Sequence, residues 1–142
     1  MAKRSFPLDK VYGLLEPGPV VLLTTALKAT RQCVINIPTR ELAKQVVGCG
    51  NTSGRRVDKF KRYGLTPMPA TLVNAQLIAE CYANLECRVV DTRLMNRYNF
   101  FVFEVIKAWI DPTCKEPRTL HHRRRGVFMV AGEKIKLPSK MK

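Results

Sequence analysis

Acidic residues are scarce. Eleven Asp and Glu stand against 25 Lys and Arg in 142 residues, a formal net charge of +14. Such an excess raises the expectation of a polyanionic or phosphate-bearing partner, with a solvated basic surface as the plain alternative. The positives are densest at Arg123-Arg124-Arg125 and in the tail Lys134, Lys136, Lys140 and Lys142. Histidine is nearly absent, with two residues, and the five cysteines (33, 49, 81, 87 and 114) include no CxxC pair. An odd, unpaired set argues against a disulfide framework and against structural zinc, so no metal site is expected. Cys33, Cys81 and Cys87 lie in apolar runs and read as small buried hydrophobes, which implies a reducing, cytoplasmic setting. No apolar stretch follows the charged start MAKRSFPLDK, and the longest uncharged run, 18–27, is too short to span a bilayer. A soluble chain with no membrane partner is expected.

What is present suffices for one domain over 1–142. Apolar residues make up 46%, the fraction of a globular chain rather than a disordered one. A domain of this length buries only about two-thirds of its unfolded surface, so a cofactor or second subunit would help it. There is no internal repeat and no low-complexity segment.

Residues 20–25 form a β-rich run bounded by Pro17-Gly18-Pro19, expected to be a strand buried on both faces. A second strand over 33–37 is stopped by Pro38. Thr39 is then placed to cap a helix over 40–47, with Gly48 as its stop. The small-residue loop Gly50-Asn51-Thr52-Ser53-Gly54 precedes a short helix carrying Val57, Phe60 and Tyr63 on one stripe and ending at Gly64. Residues 65–74, with Pro67 and Pro69, are expected to be extended loop. Alternation over 83–90 marks a half-buried strand, and 91–99 a polar turn. The strongest strand is 100–110, apolar on both faces. Late strands are expected at 126–130 and 135–137, turning at Ala131-Gly132. The join at 26–32 is awkward, because it is too short for a parallel crossover and lacks the Gly, Asn or Pro of a hairpin turn.

The 50–54 loop can be an ordinary capping loop or a phosphate cradle, with Lys59 adding a charge. His121-His122 beside the arginines can be a solvated turn or a place for a dinucleotide phosphate; no carboxylate or thiol lies at metal-ligand spacing. Glu104, inside an apolar strand, calls for an arginine partner. Phe100, Phe101, Phe103 and Trp109 read as core or subunit interface rather than a nucleic-acid stacking platform, since the basic residues lie elsewhere.

Together the motifs resemble a known family. Cys33-Val34-Ile35-Asn36-Ile37-Pro38, then Val47-Gly48-Cys49-Gly50-Asn51-Thr52-Ser53-Gly54 with Asp58-Lys59-Phe60, are similar to the flavin reductase-like, FMN-binding split-barrel family. Gly64-Leu65-Thr66-Pro67, Ala83-Asn84-Leu85-Glu86-Cys87, and Phe101-Val102-Phe103-Glu104-Val105 running into Trp109-Ile110-Asp111-Pro112 extend the likeness along the chain. The resemblance implies a mainly β, Greek-key split β-barrel with short flanking helices, a homodimer, and FMN near the dimer interface. It implies an NAD(P)H-dependent flavin reductase passing hydride from nicotinamide to flavin, with a monooxygenase or another acceptor taking the electrons. The alternatives are a non-enzymatic FMN electron carrier on the same fold and, more remotely, a basic nucleic-acid-binding barrel. By position, Lys59 would meet the FMN phosphate, with Asn51, Thr52, Ser53 and Gly54 beside it. His121, His122 and Arg124 would approach flavin and nicotinamide. The chain departs from the family in two places. Tyr98-Asn99 stands where a histidine is often found. A family segment is apparently missing near 26–28, after the Thr24-Thr25 strand.

Overall fold

The computed structural model describes residues 18–25 and 30–138. The start, the join at 26–29 and the last tail lysines, Lys140 and Lys142, lie outside the described residues. The main sheet has four antiparallel strands in the order β1-β2-β5-β6. They are β1 (Leu22–Thr25), β2 (Gln32–Ile37), β5 (Ala83–Asp91) and β6 (Val102–Ile110). Two hairpins complete the β structure: β3 (Pro67–Pro69) with β4 (Gln76–Ile78), and β7 (Leu120–Arg124) with β8 (Val127–Val130). The helices are α1 (Ala43–Asn51), entered through a 3-10 turn at Arg40–Leu42, α2 (Lys59–Tyr63) and a single turn α3 (Met95–Tyr98).

The β-branched Val34, Ile35 and Ile37 suit the centre of a pleated sheet, and β2 is paired on both sides. Two clusters form the core. Val34, Val73 and Leu77 pack with Ile106 where the β3–β4 hairpin crosses the sheet. Leu42, Cys49, Leu65, Ile78 and Cys81 join the helices to that hairpin, with Leu22, Phe60 and Tyr63 at the margin.

Two buried asparagines clasp four strands. Asn36 donates to the Leu22 carbonyl (2.9 Å), while its own oxygen accepts from Ile78 N–H (2.9 Å) and from Asn84 Nδ2 (2.8 Å). Asn84 also donates to the Ile78 carbonyl at 3.0 Å. Buried amides with every group paired fix one register and exclude its neighbours.

Several expectations are corrected. The first strand is an edge strand with alternating half-burial, and Leu23 is exposed. It pairs directly with β2 as an antiparallel neighbour, Thr25 opposite Cys33. The helix expected to stop at Gly48 continues to Asn51. Thr39 does not cap it; its hydroxyl donates to the Glu41 carboxylate. The 65–74 loop contains β3, and 91–99 contains α3. The late hairpin turns at Arg125-Gly126, both at positive φ, and residues 131–138 form no strand. The Gly64 stop holds: it is left-handed (φ 62°) and Leu65 N–H closes on the Phe60 carbonyl at 2.9 Å.

Candidate functional site

A cavity of about 1000 Å³ opens along β1, beneath the loop joining β3 to β4 and beside the ends of α1 and α2. That is the upper end of the roughly 300–1,000 Å³ usual for small-molecule sites. The β1 residues supply one wall, Cys49, Gly54 and Lys59 a second, and residues from Pro69 to Gln76 a third.

The second wall is held by α1 and α2 acting on each other. The Tyr63 ring lies against Gly48, where a β-carbon would overlap it. Its hydroxyl donates to the Gly48 carbonyl (2.8 Å) and meets Thr52 Oγ1 at 3.1 Å. Asp58 caps α2 by accepting from Lys61 N–H at 3.2 Å. Lys59 then turns back and donates from Nζ to the Cys49 carbonyl at 2.6 Å, near the end of α1. An ammonium has three N–H donors, so two remain for a ligand. Burial pushes the Cys49 thiol up, and nearby Lys59 partly offsets this.

The third wall is held by a buried carboxylate. Glu86 on β5 has no exposed surface, yet it is ionised by four donors. It accepts from Thr71 N–H (3.0 Å), Leu72 N–H (2.6 Å), Val73 N–H (3.2 Å) and Trp109 Nε1 (2.8 Å). Burial alone would raise its pKa; the three amides and the indole outweigh that and hold it below the ordinary value. Across the cavity, Thr24 donates from its hydroxyl to the Gln76 carbonyl, tying β1 to the start of β4, where that loop ends.

Of the residues singled out in the sequence, Gly54 and Lys59 line the cavity. Asn51 closes α1 and is exposed. The Thr52 hydroxyl donates to the Gly48 carbonyl at 2.9 Å, and Ser53 Oγ accepts from Arg55 N–H at 3.3 Å, so both serve the turn. His121, His122 and Arg124 sit on β7 and do not line the cavity. His122 tilts against Phe128, with ring centroids 5.0 Å apart, and His121 meets Thr119 Oγ1 at 3.1 Å. Glu104 finds its expected arginine, Arg88, at an exposed position. Sequence reasoning missed Glu86, Asn36 and the 70–75 loop; the only signal for the two side chains was their polar character inside strands of apolar neighbours, and the loop gave none. No group of metal-ligating side chains occurs among the described residues. Nor is any helix among them long and apolar enough to cross a membrane.

An antiparallel sheet crossed by a hairpin, with short helices beside a cavity, defines a split-barrel class of ligand-binding domain. The chain belongs to the family described as flavin reductase like domain, whose profile matches residues 17–130. A protein of Archaeoglobus fulgidus described as uncharacterized is 36% identical over 80 residues, 56% of this chain and 45% of that relative. The chain thus spans about half the length of the archaeal relatives it matches. An FMN-binding domain of a flavin reductases-like enzyme from Shewanella baltica superposes with a TM-score of 0.75 at 21% identity, covering 94% of this chain and 96% of that one. The flavoredoxin of Desulfovibrio vulgaris superposes at 0.69 and 20% identity, over 81% and 67%. The fold is therefore the mainly β split barrel of FMN-binding, flavin reductase-like proteins.

Proposed function

We propose that this chain binds FMN in the cavity beside Lys59 and transfers hydride from NAD(P)H to flavin, working as a homodimer. The observation that carries this reading is the cavity itself. It is walled by the segment that carries the family motif, and an uncommitted part of an ammonium faces it.

The residues suit such a ligand. Val57, Phe60, Leu65 and Ile78 offer apolar surface to a flat ring system. Lys59 meets the phosphate through its two remaining N–H donors, a charge-assisted contact. Gly54 has open space where a β-carbon would stand, with only the Lys59 Cε within reach at 3.7 Å. Bound FMN supplies the two-electron chemistry; the chain supplies position, exclusion of water and positive field. The Glu86 and Asn36 networks keep the walls fixed as the ligand enters.

Quenching of flavin fluorescence on titration tests the binding, and consumption of NADH or NADPH with added FMN tests the reaction. Saturable binding with turnover is expected. Binding without turnover favours the electron carrier, a reading supported by the likeness to flavoredoxin. No flavin binding, with a salt-dependent shift on DNA, would overturn both in favour of a basic nucleic-acid-binding barrel.

A further inference from the structure

The register of the main sheet sets Cys33 of β2 directly opposite Cys87 of β5. Both side chains are completely buried. Directly opposite residues point to the same face of the sheet, and the Cys87 thiol donates to the Leu85 carbonyl at 3.4 Å. Two positions along the ladder, Val89 N–H donates to the Arg31 carbonyl at 2.9 Å. Alternation along an antiparallel pair then makes Cys33 and Cys87 a hydrogen-bonded pair, with α-carbons about 5.5 Å apart. A disulfide accepts that α-carbon spacing but needs β-carbons roughly 3.5–4.5 Å apart, closer than a hydrogen-bonded pair holds them, so the strands must shift before the bond can close. Neither thiol lines the cavity or takes part in the function proposed above.

We propose that Cys33 and Cys87 are a cross-strand redox pair that hydrogen peroxide converts to a disulfide when the sheet edge opens. In the step, one cysteine, as thiolate, attacks a peroxide oxygen; the O–O bond breaks and a sulfenic acid and hydroxide form. The second cysteine, as thiolate, attacks the sulfenic sulfur and expels its hydroxyl. The two thiol protons convert both hydroxides to water. Two thiols and one peroxide thus give one disulfide and two waters, the sulfurs losing the two electrons that the peroxide gains.

The surroundings decide when this happens. Burial pushes the Cys33 thiol up to about 12, reinforced by Cys87, and burial raises Cys87 as well. The closed sheet therefore holds almost no thiolate and reacts slowly. Two features sit where opening would start. Cys33 pairs with Thr25, the last residue of the four-residue edge strand β1. Cys87 adjoins the irregularity in the β5–β6 ladder between Glu86 and Cys87. Short edge strands and bulges open at lower free energy than a sheet centre. Once closed, the link staples the two strands that carry Asn36 and Glu86, and so the supports of β1 and of the 70–75 loop.

The test uses the wild-type chain, exposed to dilute peroxide with and without sub-denaturing urea, then alkylated in strong denaturant. The expected product takes up alkylating agent at three of its five cysteines and yields a peptide joining Cys33 to Cys87. Dithiothreitol restores all five, and urea speeds the reaction. The oxidised chain should melt higher by roughly 10 °C, since the link closes a loop of about fifty residues. Cys87→Ala should show neither link nor shift; if that variant does not fold, the wild-type peptide map decides alone. Five alkylated cysteines after peroxide in urea would overturn the proposal. So would a link through Cys49, Cys81 or Cys114, or over-oxidation of either cysteine without a link.

Discussion

Two charged side chains hold opposite walls of the cavity, and they do so by different physics. Lys59 is a cation with spare donors, half-buried at the start of α2. Its replacement by alanine should cost FMN binding about 1–3 kcal/mol, the range of a charge-assisted hydrogen bond. Fluorescence titration would read that as a loss of roughly five- to 150-fold. Glu86 is a buried anion whose removal strands three backbone amides and an indole. Glu86→Ala should therefore lower stability by on the order of 3 kcal/mol in urea unfolding. Its pH dependence has a definite sign. The folded pKa lies below the ordinary 4.5, so the unfolded chain binds the proton more readily. The stabilisation is complete above that ordinary value and is lost as pH falls through the lower, folded one. Melting temperatures of wild type should fall in that acid window more steeply than those of Glu86→Gln. The place of Lys59 at the cavity wall was legible in the sequence, because a lysine that follows a run of small residues and opens a helix is a local pattern. Glu86 was not, because its meaning comes from a loop some fifteen positions earlier that folds back over β5.

The pair α1 and α2 shows how an element can contradict its own local signals. Gly48 reads as a helix stop, since glycine is poor in helix interiors. It stands instead inside α1, because the Tyr63 ring needs the space that a side chain would fill. Gly48→Ala should push that ring off its two hydroxyl contacts and destabilise the fold by about 1–3 kcal/mol, as overpacking does. The urea midpoint of the variant checks this. The same contrast runs through the fold. Strands β2 and β5 and the end of α2 were readable from alternation, from β-branched residues and from Gly64. Strand β3 was not, because Pro67 and Pro69 normally exclude a strand and are tolerated only in a short edge ladder such as this one. The β7–β8 turn was misplaced because Arg124 and Arg125 adopt positive φ beside Gly126, a conformation that arginine does not advertise. Ala131-Gly132 looked the better turn and lies after the hairpin.

At the scale of the molecule, the unresolved tension is between charge and exposed apolar surface. A net charge of +14 opposes self-association. Yet β6, the edge strand opposite β1 in the main sheet, exposes Val102, Val105, Trp109 and Ile110, with Phe100 just before it. An apolar edge of this kind is a template for pairing unless something covers it. Within the strand, Glu104 is paired with Arg88 and the Lys107 ammonium lies over the Trp109 ring at 4.6 Å, which leaves one net positive charge along the edge. We therefore expect light scattering at micromolar concentration to show a dimer associated through β6. Val105→Asp gives the sharper measurement. Val105 is half-exposed in the single chain, so a carboxylate there costs an isolated subunit little. In an apolar interface the same carboxylate would be buried without a partner and would cost several kcal/mol. The variant should keep its circular dichroism spectrum and run as a monomer. A wild type already monomeric would remove β6 from the interface, and a dimeric variant would move the interface elsewhere on the surface.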